Sequence, residues 1–107
     1  MSTIIYLTKL KIRSDIDKYS VVQRLEAYLD TAVGAHGNIC SRLLEPVDDE
    51  KSLHIISYWE NRADLDDYFK SDNFRTFTRI IASSCDEYSA SKTRLIYSNR
   101  DGVLPFV

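Results

Sequence analysis

Leu53-His54-Ile55-Ile56-Ser57-Tyr58-Trp59-Glu60-Asn61-Arg62-Ala63-Asp64-Leu65 contains the change of period that organises the chain. Up to Glu60 the residues alternate. Leu53, Ile55, Ser57 and Trp59 fall on one side and His54, Ile56 and Tyr58 on the other, the period of two that marks a strand. Both sides are largely apolar, so both are expected to be covered. From Asn61 the pattern changes. Asn61 stands three residues before Asp64 as a local capping box, and Leu65, Tyr68 and Phe69 give the helix that follows an apolar side. Ser71-Asp72 restarts the helix, and Phe74, Phe77, Ile80 and Ile81 carry this second piece to about Ser83.

Working outward, Thr3 to Arg13 reads as a first strand, with Ile4, Tyr6, Thr8, Leu10 and Ile12 on one face and Ile5, Leu7, Lys9 and Lys11 on the other. Ser14 or Asp15 can cap a first helix, in which Tyr19, Val22, Leu25, Leu29 and Ala32 recur at spacings of three and four up to Gly34. Gly34-Ala35-His36-Gly37-Asn38 is a turn whose glycines supply positive φ values. Ile39 to Glu45 fits a second strand, Pro46 to Lys51 a hairpin connection, and Lys92 to Ser98 a last strand through Thr93, Leu95 and Tyr97.

The order is β-α-β-β-α-β, the split arrangement of a ferredoxin-like α+β domain, with helices on one face of a four-stranded antiparallel sheet. The other face would show Ile5, Leu7, Ile56 and Tyr58. It is too apolar for water and is expected to meet a second copy, giving a homodimer. Residues 1–98 form the domain and residues 99–107 a C-terminal tail, expected to pack on the domain or on the partner subunit.

With 107 residues there is room for one domain, and eleven Tyr and Phe plus Trp59 can fill its core. A formal charge of −2, with fourteen Lys and Arg spread from Lys9 to Arg100, offers no basic stripe for a phosphate backbone, so nucleic acid is not an expected partner. The acidic run Asp48-Asp49-Glu50 reads as a solvated turn. Cys40 and Cys85 lie in no C-x-x-C pair and near no His at ligand spacing, so neither zinc nor a disulfide framework is expected. No basic stretch leads into an apolar signal core at the N-terminus, and no apolar run approaches the roughly 18 residues of a membrane span. The cytoplasm is the expected location, without membrane contact.

Ser57-Tyr58-Trp59-Glu60-Asn61-Arg62, then Ala63-Asp64-Leu65 and Phe69-Lys70-Ser71-Asp72-Asn73-Phe74, resembles the most recognisable stretch of the antibiotic-biosynthesis-monooxygenase family. Cys40-Ser41-Arg42-Leu43-Leu44 and the hairpin Pro46-Val47-Asp48-Asp49 also look like it, so the similarity spans roughly Thr3 to Tyr97. The resemblance implies a dimeric α/β barrel in which two sheets face each other, with a pocket in each subunit between the sheet and its own helices. It also implies a choice of activities, since members include cofactor-independent oxygenases of quinols and polycyclic phenols, haem-degrading enzymes, isomerases and proteins of no known chemistry. Fold alone does not select among them.

Within such a pocket Trp59, Tyr6 and Thr8 would share a face with Ile55 and Ser57, and Phe69, Phe74 and Phe77 would close it from the helices. An indole stacks well on a planar electron-rich ring. A Trp N–H or a hydroxyl can hydrogen-bond a quinol oxygen as it becomes the anion that passes an electron to oxygen. Trp59 reads first as a core aromatic that closes the sheet against the helix at Asn61. Tyr6 and Tyr68 could donate to a substrate oxygen or simply place rings inside and hydroxyls at the rim. His36, in the turn, could accept a proton near neutral pH, whereas His54 should lie on the opposite face. Arg42 reads first as an ion-pair partner, and neither cysteine has a base nearby in sequence.

Haem degradation is disfavoured, because that branch of the family uses an axial His on the second helix and Phe74 to Ser83 contains none; Thr8 also stands where an Asn would be wanted. The expected function is a cofactor-independent monooxygenase acting on a quinol-like or polycyclic aromatic molecule, with no cofactor or metal. The alternative is a non-enzymatic dimer of the same fold that binds an apolar small molecule or a partner protein.

Overall fold

A computed structural model describes residues 3–99, and the tail expected at 99–107 lies, apart from Asn99, outside the described residues. Four strands, β1 (Ile4–Ile12), β2 (Asn38–Leu44), β3 (Ser52–Trp59) and β4 (Cys85–Arg94), and three helices, α1 (Lys18–Ala32), α2 (Arg62–Tyr68) and α3 (Asp72–Ser84), follow the order β1-α1-β2-β3-α2-α3-β4. The strands form one antiparallel sheet in the order β2-β3-β1-β4. This is the ferredoxin-like arrangement, and the sheet is open rather than closed on itself.

The period change after Trp59 takes the form expected. The Asn61 side chain accepts from the Asp64 backbone N–H at 2.8 Å, and its amide donates back to the Asp64 carboxylate at 3.0 Å. Ser71 caps α3 by accepting from the Phe74 N–H at 3.2 Å. The register Tyr6↔Ser57 and Thr8↔Ile55 then sets the alternate residues of β1 and β3 side by side beneath the helices. Ile4, Leu10, Ile12, Leu53, Ile55 and Trp59 from that face join Leu25, Leu65, Phe77 and Ile80 from the helices in one buried core. Burying each large apolar side chain stabilises the fold by about 1.5–3 kcal/mol.

Three expectations are corrected. Helix α1 is capped by Asp17 rather than Ser14 or Asp15, with the Asp17 carboxylate accepting from the Tyr19 N–H at 3.3 Å. Its buried stripe is Val21, Leu25, Tyr28 and Ala32, while Tyr19 is 78% exposed. The helix is thus rotated from the expected phase so that Tyr28 can stack on Phe77, with ring centroids 5.0 Å apart. Of the turn glycines only Gly37 has a positive φ, +84°, and a Cβ there would collide with the Asp64 side chain of α2.

The third correction concerns β4, which runs Cys85–Arg94 rather than Lys92–Ser98. Helix α3 ends at Ser84 and Cys85 already has extended backbone, so helix passes into strand without a turn. Cys85-Asp86-Glu87-Tyr88-Ser89-Ala90-Ser91 shows no apolar alternation. It is held as a strand by backbone pairing to β1, from Ile4↔Arg94 to Lys11↔Glu87. Leu95, Ile96 and Tyr97, expected within that strand, follow it and are exposed.

The face away from the helices is less bare than the sequence implies. Ile5, Leu7 and Ile56 are half-buried there, and Tyr58, flanked by Cys40 and Arg42 on β2, is only 3% exposed. Among the described residues no helix is long and apolar enough to cross a membrane.

Candidate functional site

Alternation along β1 and β3 points Tyr6, Thr8, Ile55, Ser57 and Trp59 toward the helices, where they wall a cavity of about 20 Å³. Ser41 of β2 extends this floor, Tyr28, Leu29 and Ala32 of α1 form one side, and Tyr68, Phe74 and Phe77 of α2 and α3 form the other. Six of these twelve walls are aromatic rings. The space as it stands holds about one water.

Aromatic packing fixes the shape. The Trp59 and Tyr68 ring centroids are 4.9 Å apart, Tyr68 meets Phe74 edge-on at 5.8 Å, and Phe74 lies 5.8 Å from Phe77. Such contacts favour offset and tilted geometries, as here. The Trp59 indole N–H is already used, donating to Ser57 Oγ at 2.9 Å. Ser57 therefore keeps its own O–H to donate. Thr8 Oγ1, on a side chain 1% exposed, makes no hydrogen bond, an arrangement that costs about 1–3 kcal/mol in a buried site.

Across the cavity the Tyr28 and Tyr68 hydroxyls are hydrogen-bonded to each other. The Tyr68 O–H donates to Asn73 Oδ1 at 3.4 Å, so Tyr28 is the donor within the pair. Burial pushes the Tyr28 hydroxyl well above its ordinary value, and donation to Tyr68 pushes it further. Burial also raises Tyr68, against the opposing effect of the bond it accepts. Tyr6 is raised by burial and by its 3.2 Å hydroxyl contact with Tyr88 of β4. All three phenols, neutral at pH 7 even unshifted, thereby stay protonated further into the alkaline range.

Of the residues singled out in the sequence, the structure brings Tyr6, Thr8, Ile55, Ser57, Trp59, Tyr68, Phe74 and Phe77 around one cavity. Phe69 stands outside the wall, 5.0 Å from the Tyr6 ring and 4.9 Å from Phe74, with the Lys92 ammonium 5.2 Å over its own ring. His36 is not at the cavity. Its side chain is 91% exposed and its Nε2 lies 3.6 Å from Asp64 Oδ1 at the start of α2. His54 and Arg42 lie on the opposite face of the sheet, paired in register with Leu44 and Ile56 respectively. Both cysteines are reduced and half-buried, and burial pushes their thiols up, which disfavours the nucleophilic thiolate.

Tyr28 and Ser41 are wall residues that sequence reasoning missed. The signal for Tyr28 was present, since it stands three residues after Leu25 and four before Ala32, on the stripe that is actually buried. Ser41 faces Ser57 across the β2–β3 ladder and gave no signal of its own. Among the described residues no three His, Cys, Asp or Glu side chains gather as metal ligands.

A family model described as antibiotic biosynthesis monooxygenase matches residues 4–79. No curated protein sequence matches. The fold is similar to that of a Mycobacterium tuberculosis protein, with a TM-score of 0.81 at 14% identity over 92% of this chain and 100% of that one. It is also similar to a conserved protein of Methanosarcina mazei, with a TM-score of 0.79 at 16% identity over 88% and 93% of the two chains. A mutant form of SnoaB, a cofactor-independent oxygenase from Streptomyces nogalater, superposes with a TM-score of 0.78 at 10% identity over 98% of this chain and 99% of that one.

Proposed function

Because the chain belongs to the antibiotic biosynthesis monooxygenase family, we propose that it is a cofactor-independent oxygenase that binds a quinol-like or polycyclic phenol in the cavity beneath Trp59. One observation carries this reading: six aromatic rings and the unpartnered, buried Thr8 hydroxyl converge on one space between sheet and helices. Rings supply stacking surface for a flat substrate, and the Thr8 and Ser57 hydroxyls supply donors for an oxygen that gains negative charge as its proton leaves. The anion then gives one electron to O2, and the resulting pair recombines. The substrate supplies all four electrons that reduce O2, one oxygen atom remaining on the ring as a carbonyl and the other leaving as water.

The Trp59 N–H is committed to Ser57, so Trp59 acts here as a stacking wall that orients the Ser57 donor. A ligand of two or three rings needs far more than 20 Å³, since sites for such molecules run to about 300–1,000 Å³. Half-buried Phe74, in the first turn of α3 beside the Phe69–Ser71 break, is the wall that must swing aside. We also propose a homodimer, formed over Ile5, Leu7 and Ile56 on the open face.

A second reading, a binding protein without chemistry, is favoured by the absence of either His from the cavity and by the raised tyrosines, which offer no resident base near neutral pH. Oxygen uptake with a panel of hydroquinones and naphthols, above background autoxidation, separates the two. Uptake that depends on the protein and falls in Trp59→Phe supports the oxygenase. Panel members that raise the melting temperature by mass action but are not consumed support the binder.

A further inference from the structure

Tyr28 forms part of two surfaces at once. One side of it walls the inner cavity, and the other backs a groove between α1 and α3 that opens to solvent past Thr31 and Asn73. Its hydroxyl bonds that of Tyr68, which donates to Asn73 Oδ1 at 3.4 Å. The Asn73 amide donates to Thr31 Oγ1 at 2.9 Å, and Thr31 donates to the Tyr28 carbonyl at 2.6 Å. Two phenol hydroxyls therefore lead from the cavity wall to the Asn73 side chain at the surface, and Thr31 lies beyond them, joining Asn73 to the α1 backbone.

We propose that Tyr28 and Tyr68 are a proton relay that carries the phenolic proton of a bound substrate out of the cavity to water at Asn73; this rests on the oxygenase reading above. The substrate O–H gives its proton to Tyr28 Oη as the Tyr28 proton passes to Tyr68 Oη and the Tyr68 proton passes to water. Three O–H bonds break and three form. The products are a substrate anion in the cavity, two neutral tyrosines and a hydronium ion outside, and rotation of the two hydroxyls resets the line. A relay of this kind needs no tyrosinate at rest, in keeping with burial that holds both phenols neutral. It also answers the want of a base in the cavity, because the proton is taken by solvent rather than stored. Tyr28 and Tyr68 are catalytic residues in this scheme; Asn73 accepts from Tyr68 at the exit, and Thr31 touches neither phenol hydroxyl.

The same bonds also clasp α1, α2 and α3 together, so the test must move something that a clasp would not. The probe is 4-nitro-1-naphthol, whose anion absorbs visible light, bound to the full chain. After a stopped-flow pH jump, the rate at which the bound probe ionises is read for the natural protein and for Tyr68→Phe, Tyr28→Phe and Thr31→Val, with melting temperatures alongside. Each tyrosine variant keeps its ring, and the expected result is slowing by about 10- to 100-fold with little change in probe affinity. Thr31→Val removes the outer brace alone, and its ionisation rate should stay within about twofold of the natural protein whatever its melting temperature does. A probe that binds and ionises equally fast in all four proteins overturns the relay and leaves the oxygenase reading standing. Equal slowing in Thr31→Val and Tyr68→Phe overturns it in favour of the clasp. A probe that does not bind at all sinks the phenol-binding reading and the relay with it.

Discussion

The two faces of the sheet are built from the same strands, yet they differ in kind. Under the helices, Leu10, Leu53, Trp59 and Thr8 are no more than 2% exposed and the rings interlock around a single small space. On the open face, Ile5, Leu7 and Ile56 are half-buried and give way toward one end to Lys9, Lys11, His54 and Glu87. Alternation decides which residue goes to which face, and the contacts each face finds decide what it is worth. One face holds the fold together and carries the candidate site; the other is the half-buried surface on which the proposed dimer would form.

The sharpest way to break this contrast is truncation on each side. Phe77→Ala, with its ring 1% exposed between Tyr28 and Phe74, should destabilise the protein by about 3–5 kcal/mol in urea denaturation, whereas Ile56→Ala should cost about 1 kcal/mol or less. Equal losses would mean that the open face is as much a core as the covered one. Next in size, Ile5→Lys combined with Ile56→Glu should weaken self-association by about 2 kcal/mol or more while cooperative unfolding persists. Sedimentation equilibrium at micromolar concentration checks this, and a natural protein that is already monomeric would remove the proposed dimer outright.

Alkaline titration sharpens the comparison further, because three raised phenols, Tyr6, Tyr28 and Tyr68, lie on the covered side and one, Tyr58, lies on the open face. A folded-state pKa above the unfolded value near 10 means that the native state holds the proton more tightly. The stability this confers is complete below pH 10 and drains away as pH rises beyond it, by up to about 1.4 kcal/mol per pH unit for each such group. Tyr28→Phe should therefore flatten the fall in stability measured between pH 10 and 11.5. An unchanged slope would say that folding does not hold the Tyr28 proton more tightly than the unfolded chain does. Smallest of all, Lys11→Ala, which loses a 3.9 Å ion pair to Glu87 between exposed side chains, should change stability by less than about 0.5 kcal/mol in the same assay.

How far the sequence foretold these faces depends on where each residue's constraint comes from. Strands β1 and β3 were legible because strict alternation survives in both, and the Asn61 and Ser71 caps because their partners sit three residues away. The phase of α1 was not, since Val22-Leu25-Leu29 and Val21-Leu25-Tyr28 both satisfy helical spacing, and only the Tyr28 contacts with Phe77 and Tyr68 choose between them. That choice hid one member of the candidate site. Five of the twelve wall residues, Tyr6, Thr8, Ile55, Ser57 and Trp59, followed from alternation in β1 and β3 with no tertiary knowledge. The place of His36 was not legible, because a turn's direction is set by packing, here of Gly37 against Asp64.

Strand β4 carries a consequence of its own. It is an edge strand in which every residue after Cys85 is exposed, and its sequence alternates charge and small polar groups: Asp86, Glu87, Lys92 and Arg94 around Ser89, Ala90 and Ser91. An exposed edge presents unpaired backbone groups that another molecule's strand could extend. Charges on such an edge deter stacking, because a neighbouring strand would have to strip water from them and would find few apolar side chains to lie on. The lack of hydrophobic pattern that hid β4 from the sequence is thus what lets a long exposed edge exist without inviting fibres.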